Sequence, residues 1–137
     1  MDIKDLCKKA IAAKESAYAP YSHFRVGAAL LAEDGSIYSG CNVENAAFTP
    51  SCCAERTAFV KAVSEGRRSF LAIAISGDAE DYLFPCGVCR QVMVEFCDPE
   101  IFQVILVKPD GAYRTYFLKE LMPGAFTPDE YKKGIRE

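Results

Sequence analysis

Cys53-Ala54-Glu55-Arg56 and, far downstream, Pro85-Cys86-Gly87-Val88-Cys89-Arg90 constrain this chain more than any other feature. Cys86 and Cys89 are spaced i, i+3. A helix beginning at Cys86 puts both thiols on one face of its first turn. Helix N-termini favour thiolate, because unpaired N–H groups and the helix dipole stabilise negative charge there. Two such thiolates can share a metal, and zinc is the usual choice. A third ligand must come from elsewhere. Cys53 is the best candidate, because a carboxylate, Glu55, follows two residues later. Residues i and i+2 of a regular helix face apart. With Cys53 at the N-cap, where the backbone is not helical, Glu55 falls in the first turn and can lean toward the same metal. Three protein ligands leave a fourth tetrahedral position for water, as catalytic zinc sites do. Such a metal lowers the pKa of its water toward ~7, and an adjacent unligated carboxylate can carry the protons.

Each piece taken alone has a plainer reading. Cys86-x-x-Cys89 also suits a thioredoxin-like redox pair, and Cys52, Cys53, Cys86 and Cys89 together could form a structural four-thiolate zinc site. Adjacent Cys52 and Cys53 reach one ion from one backbone turn only with difficulty. Glu55 could simply complement a helix dipole, and Arg56 could be a solvated surface residue. His23 is the only histidine, so any Ser-His-Asp or Cys-His arrangement depends on it; no nucleophile motif accompanies it, and it reads as a loop residue. Cys7, Cys41 and Cys97 read as packing thiols.

The rest of the chain supplies a frame. Ile3, Leu6, Cys7, Ala10, Ile11 and Ala13 recur at helical spacing, predicting a helix from Asp2 to about Ala17 that ends before Pro20. Residues 26–32 and 37–41 read as a hairpin around Asp34-Gly35. The small Gly27, Ala28 and Ala29 suit a strand that a helix approaches closely. A second helix is expected from about Cys53 to Ser64, closing at Gly66, then a nearly all-apolar central strand over 70–76. Residues 77–84 read as a loop, 86–96 as a third helix, and 102–107 and 112–117 as strands. A short turn or helix over 118–121 and a final polar helix after Thr127-Pro128 complete the order. The expectation is an α/β fold, a three-layer α/β/α sandwich around one mixed five-stranded sheet, in one domain spanning 1–137.

Composition narrows the function classes. Half of the residues are hydrophobic, enough for a core, and the net charge of −3 argues against a nucleic acid polymer as partner. No apolar run approaches the ~18 residues of a membrane span. The start of the sequence lacks a signal-peptide pattern, and seven cysteines, an odd number, suit a reducing compartment, so a cytoplasmic location is expected.

Cys-Ala-Glu followed by Pro-Cys-x-x-Cys resembles the zinc-dependent deaminases of nucleosides and nucleobases. The closer resemblance is to the small homotetrameric cytidine deaminases. Tyr18-Ala19-Pro20-Tyr21-Ser22, Phe24-Arg25-Val26-Gly27-Ala28-Ala29, Gly40-Cys41-Asn42-Val43-Glu44-Asn45 and Leu121-Met122-Pro123-Gly124-Ala125-Phe126 look like that family's segments, in order, from Tyr18 to Phe126. The resemblance implies a hydrolase that converts free cytidine and 2′-deoxycytidine to uridine and 2′-deoxyuridine, releasing ammonia, in pyrimidine salvage. It implies Zn²⁺ on Cys53, Cys86 and Cys89, with Glu55 as the catalytic proton carrier. By the same resemblance Phe24 lies against the pyrimidine ring, Asn42 and Glu44 hold the ribose 3′-hydroxyl, and the Ala54 N–H meets the base O2. Arg56 hydrogen-bonds the thiolates, offsetting their excess negative charge, and Phe126 reaches a neighbouring subunit of the tetramer. Phe48 stands where many members carry Tyr, which removes a hydroxyl near the sugar. Alternatives are another small-molecule deaminase, for a cytosine-containing antibiotic or a nucleotide, and a non-catalytic zinc-binding domain.

Overall fold

The sheet is built from alternation. In β1 (Val26–Ala32), Ala28, Leu30 and Ala32 point to one face, and Ala29 and Leu31 to the other. The same alternation runs through β3 (Phe70–Gly77), with Ile73 and Ile75 against Ala72 and Ala74. It continues in β4 (Gln103–Val107), with Val104 and Leu106 against Ile105 and Val107. Both faces of these three strands are therefore apolar, and both are covered. The computed structural model describes residues 1–129.

The strand order is β2-β1-β3-β4-β5, with β2 at Ile37–Cys41 and β5 at Tyr113–Phe117. β3 and β4 run parallel, and the other neighbours are antiparallel. The β1–β2 hairpin turns at Gly35, whose φ of +93° is the left-handed backbone that the Asp34-Gly35 pair predicts. The parallel β3–β4 pair requires a crossover, and α3 (Gly87–Phe96) provides it. The expected mixed five-stranded sheet with helices on both faces is what the chain forms.

Helix α1 (Ile3–Ala13) covers one face through Leu6, Cys7 and Ala10. Its N-cap is Asp2, whose carboxylate accepts from Asp5 N at 3.1 Å. The helix ends at Ala13, shorter than expected, and tightens into a 3₁₀ turn at Lys14–Ser16. Gly27 makes this docking possible. A Cβ there would lie 2.1 Å from Ala10 O and 2.6 Å from Lys14 N, so only glycine lets α1 settle on β1.

The other face carries α2 (Ala54–Ser64) and α3. Helix α2 buries Ala54, Ala58, Phe59 and Ala62. Gly40 of β2 plays the part for α2 that Gly27 plays for α1: a Cβ would meet Ala54 O at 2.4 Å. The Phe59 ring meets Phe70, Phe96 and Phe102 at centroid distances of 5.2 to 6.2 Å, which joins α2, β3 and α3 into one core. Gly66, at φ +96°, closes α2 by donating to Val63 O, and Arg67 N returns to Ala62 O. A short helix, α4 (Leu118–Leu121), follows β5, and Arg90 of α3 reaches Leu121 O at 2.7 Å and Pro85 O at 2.8 Å. Of the polar helix expected after Thr127-Pro128, residues 128–129 are helical and the rest lies outside the described residues.

Candidate metal centre and active-site cleft

The starts of α2 and α3 come together on one side of the sheet. Cys53 is the N-cap of α2, with extended backbone (φ −69°, ψ 155°), and its carbonyl accepts the first helical bond from Thr57 N at 3.0 Å. Cys86 occupies the same place on α3 (φ −69°, ψ 167°), accepting from Arg90 N at 3.0 Å. This corrects the expected helix start: α3 begins at Gly87, and Cys86 caps it rather than opening it. The correction improves the site, because a cap residue turns away from the helix axis while its neighbours' free amides still surround it.

Sγ of Cys86 lies 3.5 Å from Sγ of Cys89 and 3.9 Å from Sγ of Cys53. All three sulfurs lie within 4.8 Å of one another. A tetrahedral zinc with Zn–S bonds of about 2.3 Å has sulfurs about 3.8 Å apart, so the two closer separations match that tetrahedron's edge. Cys52 stands outside this cluster; its peptide pairs instead with Val43, N–H to carbonyl in both directions. The four-thiolate reading therefore lacks its fourth member.

Charge around the cluster is organised for shared anions. Arg56 Nη2 donates to Cys53 Sγ at 3.3 Å. The Cys53 thiol is pushed down to about 5, first by its hydrogen bond with Cys89 and then by the Arg56 guanidinium against the opposing effect of burial. Cys89 is pushed the other way by that same hydrogen bond and by burial, so without a cation one negative charge is shared within the group. A dication removes that conflict, since all three sulfurs can then be thiolates.

Glu55 sits next to this cluster and is only 4% exposed. A charged residue this deeply buried in the first turn of α2 breaks the apolar face of the helix. Burial pushes its carboxyl up to about 7, and the Cys53 charge adds to the shift. A carboxyl poised near neutrality can both take and give protons.

The cluster opens into a cleft of about 360 Å³. Phe24, Asn42, Glu44, Ala54, Glu55 and Arg56 all line it, so the structure brings together nearly every residue singled out from the sequence. Phe126 is the exception: it lies outside this cleft, 61% exposed, with its carbonyl held by Gln91 Nε2 at 2.9 Å. Asn42 and Glu44 reach the cleft already engaged. Asn42 accepts from Val26 N at 2.9 Å and donates to Phe24 O at 2.8 Å. Glu44 accepts from Tyr21 N, Ser22 N and the Ser22 hydroxyl, which hold its carboxylate below the usual range. Phe48 is exposed at the tip of its loop, edge-on to Tyr21 with ring centroids 6.3 Å apart.

Leu83 and Phe84 also line the cleft, although the sequence marked them only as loop. The signal was two apolar residues directly before Pro85-Cys86, where a surface loop has no use for them. Phe84 packs at a tilt against Tyr116 of β5, ring centroids 5.3 Å apart, and Tyr82 lies under both Lys108 and Arg114.

Comparison with known proteins agrees with this geometry. Residues 1–105 match the family model described as the cytidine and deoxycytidylate deaminase zinc-binding region. This chain belongs to the cytidine and deoxycytidylate deaminase family. Zn²⁺ is accordingly the metal that the three-cysteine cluster fits. Among curated members of this deaminase family, the cytidine deaminase of Sporosarcina psychrophila is 51% identical over 130 residues, 95% of each chain. That of Mycobacterium tuberculosis is 39% identical over 124 residues, 90% of this chain and 89% of the relative. The crystal structure of cytidine deaminase from Burkholderia pseudomallei superposes with a TM-score of 0.87 at 46% identity, covering 92% of this chain and 100% of that one. The deaminase fold expected from the sequence is thus the fold observed.

Proposed function

We propose that this protein is a cytidine deaminase, hydrolysing free cytidine and 2′-deoxycytidine to uridine and 2′-deoxyuridine with release of ammonia. The observation that carries this reading is Glu55: a buried carboxylate beside three converged thiols in a nucleoside-sized cleft. A structural zinc domain has no use for such a group.

Cys53, Cys86 and Cys89 would hold Zn²⁺, which supplies Lewis acidity to ionise the attacking water near neutral pH. Glu55 takes the proton of that water and delivers it to N3 of the base, making C4 more electrophilic. After oxygen adds to C4, Glu55 moves the proton of the new C4 hydroxyl to N4, the C4–N4 bond breaks as the C4 carbonyl forms, and ammonia leaves. The Ala54 N–H, one of the amides at the first turn of α2 that lack a helical partner, would donate to the base O2. Phe24 supports the ring. Asn42 and Glu44 present their remaining hydrogen-bonding capacity to the ribose, and Arg56 keeps the thiolates from accumulating negative charge.

Cleft charge favours nucleosides over nucleotides. Among the described residues lining it, Arg56 is the one cation, and it is engaged with Cys53, while Glu44 stands as an anion. A 5′-phosphate would find there no cation that is not already engaged with the thiols. Mixing the pure protein with cytidine should therefore abolish the cytidine ultraviolet band, whereas the 5′-monophosphate should persist. Turnover of the monophosphate at a rate comparable to cytidine would move the assignment to a nucleotide deaminase. The same reading places the enzyme in the cytoplasm, in pyrimidine salvage.

The working unit is proposed as a homotetramer. Phe48, Val60, Val88 and Phe126 are each more than half exposed, a large apolar load for so small a surface. Phe126, outside its own cleft, would complete a neighbour's. Sedimentation at assay concentration should show four chains per particle, and Phe126→Ala should weaken cytidine binding. A fully active monomer would refute both statements.

A further inference from the structure

We propose that Asp78 is a positioning residue whose carboxylate presets the two aromatic and aliphatic walls of the cleft against each other. The inference rests on the nucleoside-deaminase reading of that cleft.

One wall is the strip containing Phe24; the other is the loop after β3 that carries Leu83 and Phe84. They meet at Gly77. A Cβ on Gly77 would lie 2.6 Å from Leu83 Cδ2 and 3.2 Å from the Phe24 ring, so both side chains already fill the space beside it. The next residues on each strip are Asp78 and Arg25, and they lock together. The Asp78 carboxylate accepts from Arg25 N at 2.8 Å, Arg25 Nε at 3.1 Å and Arg25 Nη2 at 3.2 Å. Asp78 N in turn donates to Arg25 O at 3.0 Å. Pairing of both the peptide and the side chain fixes position and orientation, which a simple surface ion pair does not.

A third element ties the lock to the core. Lys14 is buried, its side chain only 8% exposed, where α1 tightens into the 3₁₀ turn. Its ammonium donates to Gly77 O at 3.3 Å and lies 3.8 Å from Asp78 Oδ1. A buried ammonium holds its place only where partners compensate for lost water, so Lys14 and Asp78 fix each other. From the other side, Asn42 grips Phe24 O and Val26 N. Phe24 is thus bracketed by two clamps, and only the Asp78 clamp also reaches the Leu83 wall. Its contribution falls on substrate binding rather than on proton transfer, because it touches neither Glu55 nor the thiols.

The test uses the zinc-loaded enzyme carrying Asp78→Asn, with Arg25→Gln as a second variant that leaves Lys14 paired. The expected result is a KM for cytidine raised about tenfold or more with kcat within about threefold, at full zinc content. A KM within twofold of the parent in either folded variant overturns the proposal, as does a fall in kcat alone. Amide hydrogen exchange gives a readout independent of activity. Segments 22–26 and 79–85 should lose protection together in each variant, and loss confined to one segment also overturns the clamp. A parent enzyme that leaves cytidine intact would instead refute the functional reading, and exchange alone would then decide on the clamp.

Discussion

Glu55→Gln is expected to hold one zinc per chain and bind cytidine, yet turn it over roughly 10²–10⁴ times more slowly, a barrier increase of about 3–5 kcal/mol. Gln is nearly isosteric with Glu, and the site is closed around it: Glu55 is 4% exposed in the first turn of α2. The fold and the three thiols should therefore survive. What is lost is the ability to take the proton of the attacking water and return it to N3 and N4. If Glu55 serves several transfers in one turnover, as proposed above, the upper end of the range is expected. Binding should fall much less, since Phe24, Asn42 and Glu44 still line the cleft. The paired measurement is zinc content and cytidine affinity by calorimetry against turnover by ultraviolet absorbance. Full zinc with near-normal turnover would place the proton shuttle elsewhere. Loss of zinc would make Glu55 a ligand and return the site to a structural reading.

Local signals in the sequence carry most of the fold. Strand alternation, the Asp34-Gly35 turn and the all-apolar run at β3 are local signals, and they located five strands to within a residue or two. The N-cap role of Cys53 followed from the geometric need of Glu55 to face the same ion, and the backbone at Cys53 is extended as that need requires. For Cys86 the i, i+3 spacing alone does not distinguish a cap from a first turn, and the structure makes it the cap.

Long-range contacts left less trace. Lys14 reads as one more polar residue on an amphipathic helix, but the close approach that Gly27 allows carries it to Asp78 at the end of the central strand β3. The resemblance assigns Asn42 and Glu44 to the sugar, and nothing local to them shows that each first holds backbone sixteen or more residues away. Leu83 and Phe84 became part of the cleft only through Gly77, Phe24 and Tyr116. Pairings between residues distant in sequence decide the shape of the binding surface, whereas the metal motif carries its own geometry.

The metal motif also yields the sharpest contrast among substitutions. Cys53→Ala, Cys86→Ala and Cys89→Ala should each lose most of the zinc, while Cys52→Ser should keep it. Losing an outer-shell partner of a metal ligand costs roughly 10–100-fold in affinity, and losing a ligand itself should exceed that. Three thiolates leave no spare donor: among the described residues, Cys53, Cys86 and Cys89 are the one cluster of potential ligands this close together. Cys89 is 1% exposed, so its removal leaves a small apolar gap that no water-borne donor readily fills. Cys52 differs in kind although it adjoins Cys53. Its backbone is held by Val43 through two hydrogen bonds of 2.9 Å, and its sulfur is not in the cluster. Ser is close to Cys in size, so the bridge to Val43 should persist and Cys53 should remain at the N-cap. The measurement is elemental analysis of each desalted protein, with circular dichroism to confirm folding. A folded Cys52→Ser protein devoid of zinc would show that the fourth position is occupied by protein, closing the site to water and with it the route to deamination.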